Sequence, residues 1–167
     1  MAIDCYKIEW TKPFSFKEAI ARPEARQLGI YIIYRTINSK KKLWYIGKSQ
    51  EVGRRIGEHQ KGASHTGDKD INKVSYSFGT IYSLSGSITT AVITPTQLHE
   101  VESFLINKLK PKGNGDSTKI RYKGTSLIVI NTGKLVYLEK IMAHNEDLLK
   151  LIKENLTTKK PIFSSDW

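Results

Sequence analysis

Residues 29–47 read GIYIIYRTINSKKKLWYIG: two runs rich in Ile, Tyr and Trp, separated by a polar stretch, with the tripeptides GIY and YIG at the outer ends. β-Branched and aromatic residues on either side of Asn38 and Ser39 predict a β-hairpin, with strands over 28–34 and 43–47 and a connection over 35–42. What the hairpin presents depends on register. Side chains alternate faces with a period of two, so an odd loop count sets Tyr31 and Tyr45 on one face of the sheet and an even count sets them on opposite faces.

The pattern changes on both sides of the hairpin. Over 50–61 it is helical, with Val52, Ile56 and His59 at offsets of four and seven, and Arg55 one turn before His59. Upstream, Ser15 and Glu18 form a capping box for a short helix over 15–21. Residues 62–73 read as an exposed loop and 74–84 as a third strand bent at Gly79. The clearest helix spans 94–110, with Thr94 as N-cap, Pro95 in its first position and Gln97 closing a capping box. Residues 120–122 and 127–130 suggest strands, NTG at 131–133 a hairpin turn into 135–138, and 145–156 a final helix before a loose tail. The expected class is α+β: a small central antiparallel β-sheet flanked by helices, with a C-terminal β-hairpin and helix extension. One domain over 1–167 is expected.

Composition narrows the function. The 167 residues carry 27 Lys and Arg against 16 Asp and Glu, a formal charge of +11 and a pI near 9.7. That balance favours a polyanionic partner such as nucleic acid, with an anionic membrane surface as the rival. The sequence contains no apolar run near the roughly 20 residues a membrane span requires. With no basic-then-apolar start either, a soluble, cytoplasmic protein is expected. Cys5 is the only cysteine, which excludes an intramolecular disulfide and cysteine-based zinc sites, so a metal would bind through oxygen or histidine.

On a helical wheel, Leu98, Val101, Leu105, Ile106 and Leu109 share one stripe with Glu102, while Glu100 falls on the opposite side. A carboxylate on a core-facing stripe needs a partner, either a basic side chain or a metal ion. The order of these residues resembles the GIY-YIG nuclease superfamily. After the two tripeptides, YIGKSQEVGRR places Arg55 ten residues beyond Tyr45, and His59 follows four later. ESFLINKLKPKGN then supplies Glu102, Leu105, Ile106, Pro111 and Asn114. The match covers about 28–114, and Gly113 departs from it where many members carry an aromatic.

The resemblance implies metal-assisted hydrolysis of a phosphodiester. On that reading Tyr31 activates water, its pKa lowered from about 10 by Lys48 or another cation. Tyr45 and His59 share proton traffic or hold the phosphate, and Arg55 braces the non-bridging oxygens. Glu102 is the one protein ligand of a Mg²⁺ or Mn²⁺ ion that stabilises the leaving 3′ oxygen, giving 5′-phosphate and 3′-hydroxyl ends. Asn114 braces the site or contacts substrate. In an inactive descendant Arg55 and Glu102 would pair with each other. His65, His99 and His144 read as ordinary surface residues.

Outside this set, Lys40, Lys41 and Lys42, then Lys108, Lys110 and Lys112, then KIRYK at 119–123 with Arg121, form a candidate phosphate-contacting group. Tyr122 would stack on a base or simply pack. Gly53 and Gly57 each cost a helix about 1 kcal/mol relative to Ala, tolerable where a backbone must approach closely. The expectation is a compact endonuclease of restriction, mobile-element or phage type acting on DNA, double-stranded and with a homodimer where cuts are symmetric. Residues 115–160 would serve target recognition or dimerisation. The alternatives are a non-catalytic nucleic-acid-binding module and an RNA-directed nuclease.

Overall fold

The computed structural model describes residues 3–62, 71–84, 93–119, 122 and 126–157. Six strands form one sheet: β1 (Ile3–Trp10), β2 (Gly29–Ile37), β3 (Lys40–Ser49), β4 (Val74–Ser83), β5 (Ser126–Gly133) and β6 (Ile141–Ala143), in the order β3-β2-β4-β1-β5-β6. Among the described residues four α-helices flank it: α1 (Phe16–Ala21), α2 (Val52–Gly62), α3 (Pro95–Leu109) and α4 (Glu146–Thr157). The α+β class holds, but the sheet is larger than expected and mixed, because β1 runs parallel to β5 while the other pairs are antiparallel. β1 itself is an addition to the sequence reading. Its Tyr6, Ile8 and Trp10 are buried at every second position, the pattern of a strand with one face in the core.

The hairpin closes more tightly than the eight-residue connection expected. Ile37 pairs with Lys40, leaving only Asn38 and Ser39 in the turn, both at positive φ (50° and 62°), as a type I′ turn requires. An even turn alone would put Tyr45 on the face opposite Tyr31. The register shifts between Ile33 and Tyr34, however, whose partners are Tyr45 and Leu43, so Trp44 is an extra residue bulged out of β3. Beyond the bulge Ile33 faces Tyr45 and Tyr31 faces Gly47. The bulge therefore returns both tyrosines to one face.

That face packs under α1 and α2, where Tyr31, Ile33, Val74, Tyr76 and Phe78 meet Ala19, Val52 and Ile56. The other face carries Ile30, Ile32, Tyr34 and Ile46 and receives α3 through Leu98, Val101, Phe104, Leu105 and Ile106. At about 1.5–3 kcal/mol for each buried large apolar side chain, these contacts hold α3 firmly against the sheet. Both expected capping boxes form, Ser15 with Glu18 and Thr94 with Gln97. Asn145 caps α4 by accepting from the Leu148 amide at 2.7 Å.

The C-terminal hairpin differs from its expected form. Asn131, Thr132 and Gly133 end β5 instead of making a turn, and the return strand is Ile141–Ala143, not 135–138. Asn131 is fully buried: its Oδ1 accepts from Trp10 Nε1 at 2.9 Å and its Nδ2 donates to the Glu139 carbonyl at 2.7 Å. These bonds to distant groups override the local turn preference of Asn. Of the strand expected at 120–122, only Tyr122 is described. It lies in no strand and packs edge-on against Phe104, 5.7 Å between centroids, with its hydroxyl donating to Glu100 at 2.8 Å. The expected tail and His65 lie outside the described residues.

Candidate active site

The candidate residues gather around the Gly47 end of edge strand β3. Tyr31 is fully buried, 2.6 Å from Nε2 of buried His59, which α2 brings over the sheet. The Tyr31 and Tyr45 rings lie 6.0 Å apart, and His59 sits 5.8 Å from the first and 5.0 Å from the second. Gly47 makes the cluster possible. A Cβ there would stand 2.5 Å from the Tyr31 hydroxyl oxygen and 2.7 Å from Tyr45 Cε1, so no other residue fits beneath the two phenols.

Arg55 joins from the exposed side of α2. Its guanidinium donates to Glu58 at 2.9 Å, and it also interacts with the hydroxyls of Tyr31 and Tyr45. Burial raises the pKa of Tyr31, the neighbouring Tyr45 adds to the rise, and Arg55 opposes it. Burial likewise raises Tyr45, reinforced by the charge of Glu102 and opposed by Arg55. A cation does lower the pKa of Tyr31 as expected, but it is Arg55 and not Lys48, and burial outweighs it, so the net direction is corrected to a rise. Register explains why. Lys48 pairs with Ile30 and shares its face, opposite the face of Tyr31 and Gly47.

Lys48 instead meets α3. Its Nζ lies 2.6 Å from Glu102 Oε2, so the carboxylate on the apolar stripe has a lysine partner, while Arg55 pairs with Glu58. Glu102 is 14% exposed and Lys48 32%. In a part-buried pair the cost of desolvating both charges offsets much of their attraction, and a divalent ion that neutralises Glu102 can take the place of Lys48. One carboxylate at the solvent edge also suits Mg²⁺, which keeps several waters and takes few protein ligands. Among the described residues no group of three or more His, Cys, Asp or Glu is placed to hold a metal ion.

His99, read from the sequence as an ordinary surface residue, belongs to this corner. Its Nδ1 lies 3.0 Å from Lys48 Nζ and 3.5 Å from Glu102 Oε2. The signal was its position three residues before Glu102, on the same helical face. His144 has no such place and packs against Tyr122 at 5.1 Å.

Asn114 braces the edge strand. Its Oδ1 accepts from the Ile46 amide at 2.9 Å and its Nδ2 donates to the Ile46 carbonyl at 2.8 Å, so one carboxamide satisfies an outward-facing residue of β3 as a further strand would. Both ends are engaged, which leaves a single N–H for substrate. Asn114→Ala is expected to destabilise the fold by about 1–3 kcal/mol, measured by denaturant unfolding, because it strands two backbone groups beside a buried residue. The neighbouring Gly113 is also accounted for: a Cβ there would stand 2.6 Å from Trp44 Nε1. The bulged Trp44 occupies the space that an aromatic at 113 would need.

Lys41 and Lys42 are exposed on β3 near the hairpin turn, across from Thr36 and Arg35. Lys112 is exposed in the 3₁₀ turn Lys112–Thr118 that packs along β3, and Lys110 donates to the Thr118 carbonyl at 2.6 Å. Arg121 lies outside the described residues. Gly53 is explained by packing, since a Cβ would approach that of Ala25 to 2.9 Å, whereas a Cβ on Gly57 would meet nothing within 4 Å. Among the described residues no helix is long and apolar enough to cross a membrane.

Compared with known protein families, the chain matches the GIY-YIG catalytic domain over residues 27–116, just over half its length. No curated protein and no solved structure matches it significantly.

Proposed function

The chain belongs to the GIY-YIG catalytic domain family, which implies a nuclease with a nucleic-acid substrate, and from that premise we propose a metal-dependent DNA endonuclease leaving 5′-phosphate and 3′-hydroxyl ends. The observation that carries this reading is the convergence of Tyr31, Tyr45, Arg55 and His59 on one side of the β3 edge with Glu102 and Lys48 on the other.

Water attacks phosphorus as the bond to the 3′ oxygen breaks. Tyr31 receives the proton of the attacking water on its phenol oxygen and passes its own to His59 Nε2, 2.6 Å away. The phenol then never needs to ionise, which accords with its raised pKa. Arg55, half in solvent, faces the non-bridging oxygens with its planar fork while Glu58 orients it. Tyr45 lies 6.0 Å from the Tyr31 ring and feels the charge of Glu102, which puts it beside both halves of the site. Glu102 would hold Mg²⁺ or Mn²⁺, which supplies charge stabilisation to the leaving oxygen.

For substrate engagement we propose the outer edge of β3, with Lys41, Lys42 and Lys112 contacting phosphates and Gly57 admitting a close backbone. Residues 115–160 would recognise the target or join two copies, as symmetric cutting of duplex DNA by one site per chain requires. The biological role we propose for it is of restriction, mobile-element or phage type. Gly57→Ala is expected to raise the melting temperature by about 2–4 °C, because nothing opposes the new methyl, while weakening duplex retention in a gel shift. Unchanged retention would remove Gly57 from the substrate surface.

The deciding experiment incubates purified protein with plasmid DNA in Mg²⁺ and in EDTA, with matched RNA in parallel, and labels the product ends. Cleavage of DNA in Mg²⁺ alone, with ends that ligate directly, is expected. Retention of duplexes without cutting across a library of varied targets would favour a non-catalytic binding module.

A further inference from the structure

We propose that His99 is a second protein ligand of the metal at Glu102, an inference that rests on the reading of Glu102 as the metal-holding carboxylate. Lys48 Nζ stands 2.6 Å from Glu102 Oε2 and 3.0 Å from His99 Nδ1, so one positive centre is shared by two donor atoms. An ammonium group has only hydrogens to offer. His99 must therefore present the lone pair of Nδ1 to it and carry its own proton on Nε2, the form in which imidazole binds a metal. The Lys48 nitrogen marks the place where a cation meets both donors.

The spacing of the two donors fits. His99 and Glu102 are one turn apart on α3, with Nδ1 and Oε2 at 3.5 Å. Two ligands at right angles, each about 2.1 Å from one ion, stand about 3.0 Å apart. A closure of about half an ångström is within the rotamer freedom of a ring as exposed as His99, which is 67% open to solvent. A nitrogen beside a carboxylate changes metal preference: imidazole suits first-row transition ions, of which Mn²⁺ is the weakest binder, whereas Mg²⁺ is held through oxygen. The site would thus prefer Mn²⁺ more strongly than Glu102 alone dictates. Exposure also makes His99 removable without opening the core.

The test uses the full chain loaded with Mn²⁺. Electron spin echo modulation reads directly bound ¹⁴N, and calorimetric titration reads affinity for Mn²⁺ and Mg²⁺ in wild type, His99→Ala, His99→Asp and Glu102→Gln. Wild type is expected to show ¹⁴N modulation. His99→Ala should lose it and bind Mn²⁺ about 10- to 100-fold more weakly, with Mg²⁺ affinity less affected. His99→Asp should regain affinity without the nitrogen signal and shift preference toward Mg²⁺. Mn²⁺ that binds wild type, is lost in Glu102→Gln and never shows ¹⁴N modulation would overturn the role of His99 alone. Mn²⁺ binding that is absent from wild type, or survives Glu102→Gln, would overturn the Glu102 reading and this inference with it.

Discussion

Glu102→Gln is expected to lower DNA cleavage in Mg²⁺ by about 10³-fold or more while leaving the fold and duplex retention in place. The substitution keeps the shape of the side chain and removes only its charge, so α3 keeps its buried residues against the sheet. Lys48 loses its charged partner, but its ammonium, about a third exposed, is left to water and to the carboxamide oxygen of the Gln. The kinetic loss is larger. A metal ion stabilising the charge on a leaving oxygen is worth several kcal/mol, and each 1.4 kcal/mol is about tenfold in rate. The check is three measurements on one preparation: plasmid cleavage, gel shift of the same duplex, and thermal unfolding. Activity within about tenfold of wild type would take the metal away from Glu102. Lost retention would mean that the carboxylate organises the binding surface and not only the chemistry.

Glu102 was legible because helical periodicity is local. Five apolar neighbours define the buried stripe of α3, and a carboxylate inside that stripe stands out without any tertiary information. The capping boxes at Ser15 and Thr94 are local in the same sense, and both form. The α+β class followed from such segments, and β1 could have joined them, since Tyr6, Ile8 and Trp10 alternate plainly in the sequence. Register was not legible. It turns on one bulged residue, Trp44, whose insertion reverses the parity set by the Asn38-Ser39 turn. The misassignment of Lys48 to Tyr31 followed from that gap, because Lys48 lies on the Tyr31 face or opposite it according to register alone. Partners far apart in sequence were equally hidden. Asn114 finds Ile46 across 68 residues, and Asn131 finds Trp10 across 121 and gives up its turn. His99 is the instructive miss, for its position before Glu102 was visible, but only the meeting of α3 with Lys48 on β3 makes the pair a corner of the site.

Tyr31→Phe is expected to slow cleavage by about 10²- to 10⁴-fold, the range typical of a lost proton-transfer group. His59→Gln should do nearly the same. If the phenol and the imidazole pass one proton in series, removing either breaks the whole relay, and the double variant should be no slower than the worse single one. Multiplicative losses would instead mean separate roles, with His59 holding the phosphate. The pH profile tests the same relay from another side. Burial raises the pKa of Tyr31, so the phenol is neutral across the working range, and no rise in rate should follow the ordinary tyrosine ionisation near 10. A raised pKa also carries a sign for stability. Its contribution is complete below about 10, where the phenol is protonated in folded and unfolded chains alike, and declines at higher pH as the unfolded chain gains by ionising. Absorbance titration of phenolate should therefore show Tyr31 silent until the alkaline unfolding transition, with Tyr31→Phe removing no signal below it. Tyr6 and Tyr76, raised by burial to about 12, should be silent over the same range. A Tyr31 signal that appears below unfolding and tracks a rise in cleavage would show that the phenolate itself is the base, with His59 reduced to holding it in place.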